Sequence, residues 1–149
     1  MSTTSFDAAA AVCRTLEAAF NQGDFAALDA GLCPDALFHD PGRDFRGPAE
    51  LRHGLEGFRN AFPDFRFSVL DQLACGDRVV IRYRGQGTQR GAFLGVPASG
   101  RRIDYSGLLL VRLGAEAEAE RIAEVWAYPD QLGVLTQLGA RLVLAPGDA

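Results

Sequence analysis

Histidine, cysteine and long apolar runs are scarce in this 149-residue chain, and each scarcity removes a class of function. The two histidines, His39 and His53, stand apart with no HxxxH pair. Cys13, Cys33 and Cys75 form no CxxC, so the spacings that hold a metal ion are missing. Three scattered thiols make no disulfide framework either, and they read as reduced cysteines of a cytoplasmic protein. Nothing near them in sequence would lower a thiol pKa. No apolar stretch reaches the ~18 residues of a membrane span. The opening MSTTSFDAAAAV has no basic segment before its apolar part, so no secretion signal is expected. A net charge of −4 and a pI of about 5.1 argue against a nucleic-acid partner. The clusters Arg82, Arg84, Arg90 and Arg101-Arg102 are too short to change that. GxSxG, GxxxxGK[ST] and a dinucleotide fingerprint are all absent.

What is present is a patterned chain, 48% hydrophobic, of the size of one domain spanning 1–149. Ala9, Val12, Cys13, Leu16 and Phe20 share a helical face, with Thr4 or Ser5 as the cap and Asn21-Gln22-Gly23 as the stop. Asp24 caps a shorter helix carrying Phe25, Leu28 and Leu32. Cys33-Pro34-Asp35 reads as a turn before a short strand, 36–40, ended by Pro41-Gly42. After a polar loop, Gly47-Pro48 opens a third helix with Leu51, Leu55, Phe58 and Phe62, halted by Pro63.

The remainder alternates as strands do. Phe65, Phe67, Val69, Asp71 and Leu73 share one face. Val79, Ile81 and Tyr83 share a face of the next strand, opposite Arg82, Arg84 and Gln86. The glycine- and proline-rich GAFLGVPASGR leads to a strand at 103–113. After an acidic turn comes RIAEVWAYPDQLGVLTQLG, read as a strand, a proline break at Pro129, and a helix capped by Asp130 and stopped by Gly139. Helices first and antiparallel strands afterwards predict an α+β fold. Glycines within the strands allow strong curvature, and a curved sheet around helices encloses a small-molecule cavity.

Two places carry candidate chemistry. Asp130 follows Trp126 and Tyr128 at the rim of the sheet. A carboxylate there is either a helix cap or a general acid/base, and the two roles pull its pKa in opposite directions. In His39-Asp40-Pro41-Gly42, alternation sends His39 and Asp40 to opposite faces, so a regular strand brings at most one into the cavity. Leu37 goes with His39 and Phe38 with Asp40, and the choice between the two faces stays open.

FRNAFPDFRFSV, GDRVVIRYRGQGTQRGAFLGVPASGRRIDYSG and IAEVWAYPDQLGVLTQLG, in that order, resemble the SnoaL-like polyketide cyclases of the nuclear-transport-factor-2-like superfamily. The resemblance implies a cone-shaped α+β domain that closes a ring on a hydrophobic polyketide by intramolecular aldol condensation, without metal or cofactor. It makes Asp130, the aspartate of Trp-x-x-x-Asp, the acid/base. Trp126, Tyr128 and Phe93 become pocket walls, and Gln89, His39 and Asp40 polar contributors. Many relatives carry histidine at the position of Gln89, and glutamine cannot shuttle a proton near neutral pH. Polyketide hydroxylation is a second activity within the same resemblance.

The His39-Asp40-Pro41 strand end is also similar to the place where ketosteroid isomerases carry a base aspartate. Thr15 and Leu109 stand near the positions of that family's two oxyanion donors, so both donors would be missing and the enolate unsupported. A non-catalytic binding or assembly domain is the remaining alternative, with Asp130 only a cap. Val and Leu residues on the outer sheet face suit a homodimer.

Overall fold

A computed structural model describes residues 6–147. The first helix, α1 (Phe6–Gln22), buries Ala9, Val12, Cys13 and Leu16, as its periodicity dictates. Its expected cap at Thr4 or Ser5 lies outside the described residues. Asp24 caps α2 (Phe25–Gly31) by accepting the Ala27 amide at 3.0 Å. In α3 (Gly47–Ala61), Pro48 stands in the first turn and the Glu50 carboxylate reaches back to the Arg46 amide at 2.7 Å. That back-bond satisfies one donor the helix start would leave open.

Six strands form one mixed, curled and unclosed sheet in the order β2-β1-β6-β5-β4-β3. They are β1 (Leu32–Asp40), β2 (Arg43–Arg46), β3 (Arg66–Cys75), β4 (Arg78–Thr88), β5 (Arg102–Leu113) and β6 (Ile122–Pro129), and α4 (Gln131–Gln137) follows. The architecture is α+β. The concave face is packed against α1 and α3 and holds Val79, Ile81, Leu109, Val111 and Val125, all nearly inaccessible.

Four details differ from the sequence expectations. Strand β1 begins at Leu32, because Cys33-Pro34-Asp35 lies in an irregularity of the strand between Leu32 and Leu37. A proline tolerated at such a break has no ladder hydrogen bond to lose. The polar loop after Pro41-Gly42 contains β2, paired antiparallel to β1. The last strand, β6, runs parallel to β1, so the sheet is mixed rather than antiparallel.

In β3 the register shifts between Val69 and Asp71. Beyond that bulge the faces exchange. Gln72 accepts the Cys13 thiol at 2.7 Å against α1, and Leu73 turns outward and is exposed. One extra residue moves every later side chain to the other face.

Candidate active site

The concave sheet face and the helices leave a cavity of about 160 Å³. That is close to the volume, about 150 Å³, of an apolar cavity that accepts one benzene ring. Its walls are aromatic: Phe38 from β1, Phe58 from α3, Phe65 and Phe67 at the start of β3, Tyr83 from β4, Tyr105 from β5, and Phe93. Phe58 meets Phe65 and Phe93 edge-on, at 4.7 and 5.7 Å between centroids.

One carboxylate lines this cavity, that of Asp40. It stands at the last position of β1, with Phe38 two residues back on the same wall. Asp40 and Leu94 are both exposed and both line the cavity, so they mark its mouth. Desolvation by the surrounding apolar groups pushes the Asp40 carboxyl from 3.8 up to about 6. Among the described residues no side chain donates a hydrogen bond to offset that.

Tyr83, Tyr105 and Gln131 are further polar residues of the cavity wall, and none of them was expected there from sequence. The two tyrosine rings meet edge-on at 6.0 Å between centroids, and Asp40 acts on both through space. Burial raises the Tyr83 phenol to about 12 and raises Tyr105 further.

Phe93 lines the cavity. It reaches the cavity from a two-residue turn, in which Phe93 and Val96 exchange backbone hydrogen bonds of 3.0 and 2.9 Å around Leu94 and Gly95. Gln89 is not on the wall. It is fully buried under that loop, where its amide donates to the Val96 carbonyl at 3.0 Å and accepts from the Ser99 amide and hydroxyl. It therefore holds the loop that carries Phe93.

His39, Trp126 and Tyr128 stand on the outer face. A register shift between Arg112 and Leu113 separates Ile122, which is buried, from Glu124, Trp126 and Tyr128. His39 lies between two acceptors, Asp44 at 2.9 Å from Nδ1 and Glu124 at 2.8 Å from Nε2. Two carboxylates require both ring nitrogens to donate, which is the imidazolium. Its pKa is accordingly raised, first by Glu124 and then by Asp44. Trp126 stacks on the His39 ring at 5.5 Å, and Arg112 closes the network onto Glu124 at 3.0 Å.

Asp130 caps α4. Its Oδ1 accepts the Gly133 amide at 2.9 Å, and the fit is so close that a Cβ at position 133 would collide with the carboxylate. The side chain is exposed, although Pro129 and Gln131 on either side line the cavity. Leu109 contributes only hydrocarbon to the wall. Thr15 packs against Gly31 instead. Among the described residues no cluster of three or more His, Cys, Asp or Glu could hold a metal ion, and no helix is long and apolar enough to cross a membrane. All fifteen basic residues are arginine, so there is no lysine for Schiff-base chemistry.

A hydrophobic cavity in a curled α+β cone, with a partly desolvated carboxylate at its mouth, can remove a proton from carbon and shelter the anion formed. Known proteins share this architecture. TsrD from Streptomyces laurentii is 29% identical with a TM-score of 0.82, over 92% of this chain and 98% of that one. IdmH from Streptomyces antibioticus, a candidate polyketide cyclase, is 30% identical with a TM-score of 0.73, over 89% and 99%. AclR from Streptomyces galilaeus, a candidate hydroxylase, is 26% identical with a TM-score of 0.74, over 91% and 98%. No curated protein matches the chain. The fold is nuclear-transport-factor-2-like, the SnoaL-like polyketide cyclase model matches residues 10–138, and the chain belongs to that family.

Proposed function

We propose that this protein closes a ring on a hydrophobic, carbonyl-rich small molecule of polyketide type by intramolecular aldol addition, with Asp40 as the proton carrier. The observation that carries the reading is the position of Asp40, a carboxylate without a hydrogen-bonding partner among the described residues, in the wall of an aromatic cavity. A base with a pKa near 6 is ionised at neutral pH and still basic enough to take an acidic C–H proton between two carbonyls.

Asp40 breaks the C–H bond and becomes a carboxylic acid, leaving an enolate. The enolate carbon attacks the second carbonyl, and the alkoxide so formed takes back the proton. The product is an isomer of the substrate, so the step needs no oxidant or reductant. With no lysine to form an iminium ion, the enolate route is the one these side chains support. A cavity of single-ring size accommodates the ring being closed, while the rest of the molecule leaves through the mouth beside Leu94.

A second reading places the acid/base at Asp130, favoured by the family resemblance and by its position between Pro129 and Gln131. The two are separated by assaying Asp40→Asn and Asp130→Asn on polyketide methyl esters, with melting followed in parallel. The Asp40 reading expects turnover to vanish in the first variant and to persist in the second. The reverse pattern transfers the role to Asp130, and retention in both removes the acid–base mechanism.

A further inference from the structure

We infer that the Tyr83 hydroxyl is the hydrogen-bond donor to the enolate oxygen in this cavity, and that Tyr105 is the residue that positions it. The inference rests on the acid–base reading above and names the group that would hold the charge Asp40 creates.

A Tyr-x-Gly pattern stands on both neighbouring strands, as Tyr83-Arg84-Gly85 on β4 and Tyr105-Ser106-Gly107 on β5. The two strands are antiparallel, and their register sets Tyr83 opposite Gly107 and Gly85 opposite Tyr105. Each tyrosine ring therefore lies across the glycine facing it. A Cβ at Gly107 would stand 2.6 Å from the Tyr83 Oη, and one at Gly85 would stand 2.7 Å from Tyr105 Cε1 and Cζ. Both distances are shorter than any real contact, so any larger residue would displace the ring. Phe67 covers Tyr83 from the other side, stacked at 4.6 Å and 23°. The Tyr83 ring is thus clamped between an aromatic face and bare backbone. It cannot swing away from its hydroxyl position without opening the core.

The two rings meet edge-on, with centroids 6.0 Å apart at 84°. Tyr105 meets Tyr83 from the side and, with Phe67 and Gly107, limits where the Tyr83 ring can lie. Tyr83 lines the cavity, where its hydroxyl can meet a ligand oxygen. A fixed donor aimed into a water-poor cavity stabilises developing oxyanion charge without having to reorganise. Asp40 and Tyr83 line the same cavity, so one can take the proton while the other meets the oxygen.

The test uses 4-nitrophenol, whose phenolate oxygen stands in for the enolate, and nitrobenzene, which fills the same space without that oxygen. Both are titrated into Asp40→Asn protein, where no carboxylate competes with the bound anion. Adding Tyr83→Phe is expected to weaken phenolate binding about tenfold or more, and to raise the pKa of the bound phenol, read from its visible absorbance, by about one unit. Tyr105→Phe, which keeps the ring and removes the polar group beside the donor, should weaken it about threefold. Nitrobenzene affinity should stay level across all of these variants, a result that a merely structural role for the tyrosines would not give. Gly107→Ala keeps the phenol but pushes it off its seat, so it should match Tyr83→Phe for the anion.

If phenolate binds the Tyr83→Phe and Gly107→Ala proteins as tightly as the Asp40→Asn parent, the donor role is overturned and the acid–base reading survives. If neither probe binds the Asp40→Asn protein, the cavity is not a ligand site and both fall.

Discussion

On the outer face of β1 the His39 ring is held by two carboxylates, stacked on Trp126 and tied through Glu124 to Arg112. One residue further along, Asp40 faces the aromatic cavity with no partner among the described side chains. Both groups have pKa values above their ordinary ones, for opposite reasons. His39 is raised because its charged form is satisfied, and Asp40 because its charged form is not. A satisfied charge on a sheet surface is explained by stability. A carboxylate without a partner at the mouth of an apolar cavity calls for a chemical explanation.

Breaking the cavity side should have the largest effect. Asp40→Asn is expected to lower turnover by about 10²–10⁴-fold, measured with substrate in excess, while His39→Gln leaves turnover near the wild-type value. In the wild type, kcat/KM should fall on the acid side through a pH of about 6, where Asp40 takes up its proton. A profile without that limb, or a histidine variant as inactive as the aspartate one, would invert the comparison.

Stability sharpens it next. Removing the His39 pair of bonds should cost about 1 kcal/mol, since the network is partly open to solvent. The folded pKa of His39 lies above 6.5, so its contribution is complete below pH 6.5 and is lost as pH rises through the raised value. Glu124 is shifted down from 4.5, so the same network also weakens as pH falls through that lowered value. Melting of wild type and His39→Gln between pH 5 and 9 should converge toward the alkaline end.

Asp40 acts in a lower window. Its stabilising proton is in place below pH 3.8 and is lost as pH rises to about 6. Asp40→Asn should therefore melt higher than wild type above pH 6 and no higher near pH 4. A catalytic variant that gains stability is the signature of a group kept for chemistry.

The smallest effect belongs to the rim. Asp130→Ala should cost about 1 kcal/mol through the lost cap of α4, with turnover retained. Turnover lost without a change in melting would move the site to Asp130.

The sequence displayed the helices, the caps at Asp24 and Asp130 and the opposed faces of His39 and Asp40, because these depend on local spacing. It concealed whatever depends on a partner far along the chain. Alternation is readable only while the register is unbroken, and the bulges in β3 and between Arg112 and Leu113 put Leu73 and Trp126 on the outside. The tripeptides Tyr83-Arg84-Gly85 and Tyr105-Ser106-Gly107 were in plain view. They become a site only when antiparallel pairing sets each tyrosine on the other's glycine. Gln89 looked like a failed proton shuttle because its position suggested chemistry, and its full burial under the Phe93 loop supplies a different purpose.

The parallel pairing of β1 with β6 also governs how the molecule is made. The strand bearing Asp40 has β2 on one edge, and its other edge waits for the last strand of the chain. During synthesis β3, β4 and β5 can zip together as a meander, while β1 keeps an open flank until residues 122–129 leave the ribosome. Long-range pairing of this kind is slow to form and prone to wrong partners. The carboxylate and its tyrosines thus come together at the final closure of the sheet, and a nascent chain stalled before β6 holds every wall residue except Ala127, Pro129, Gln131 and Val134, yet encloses no cavity.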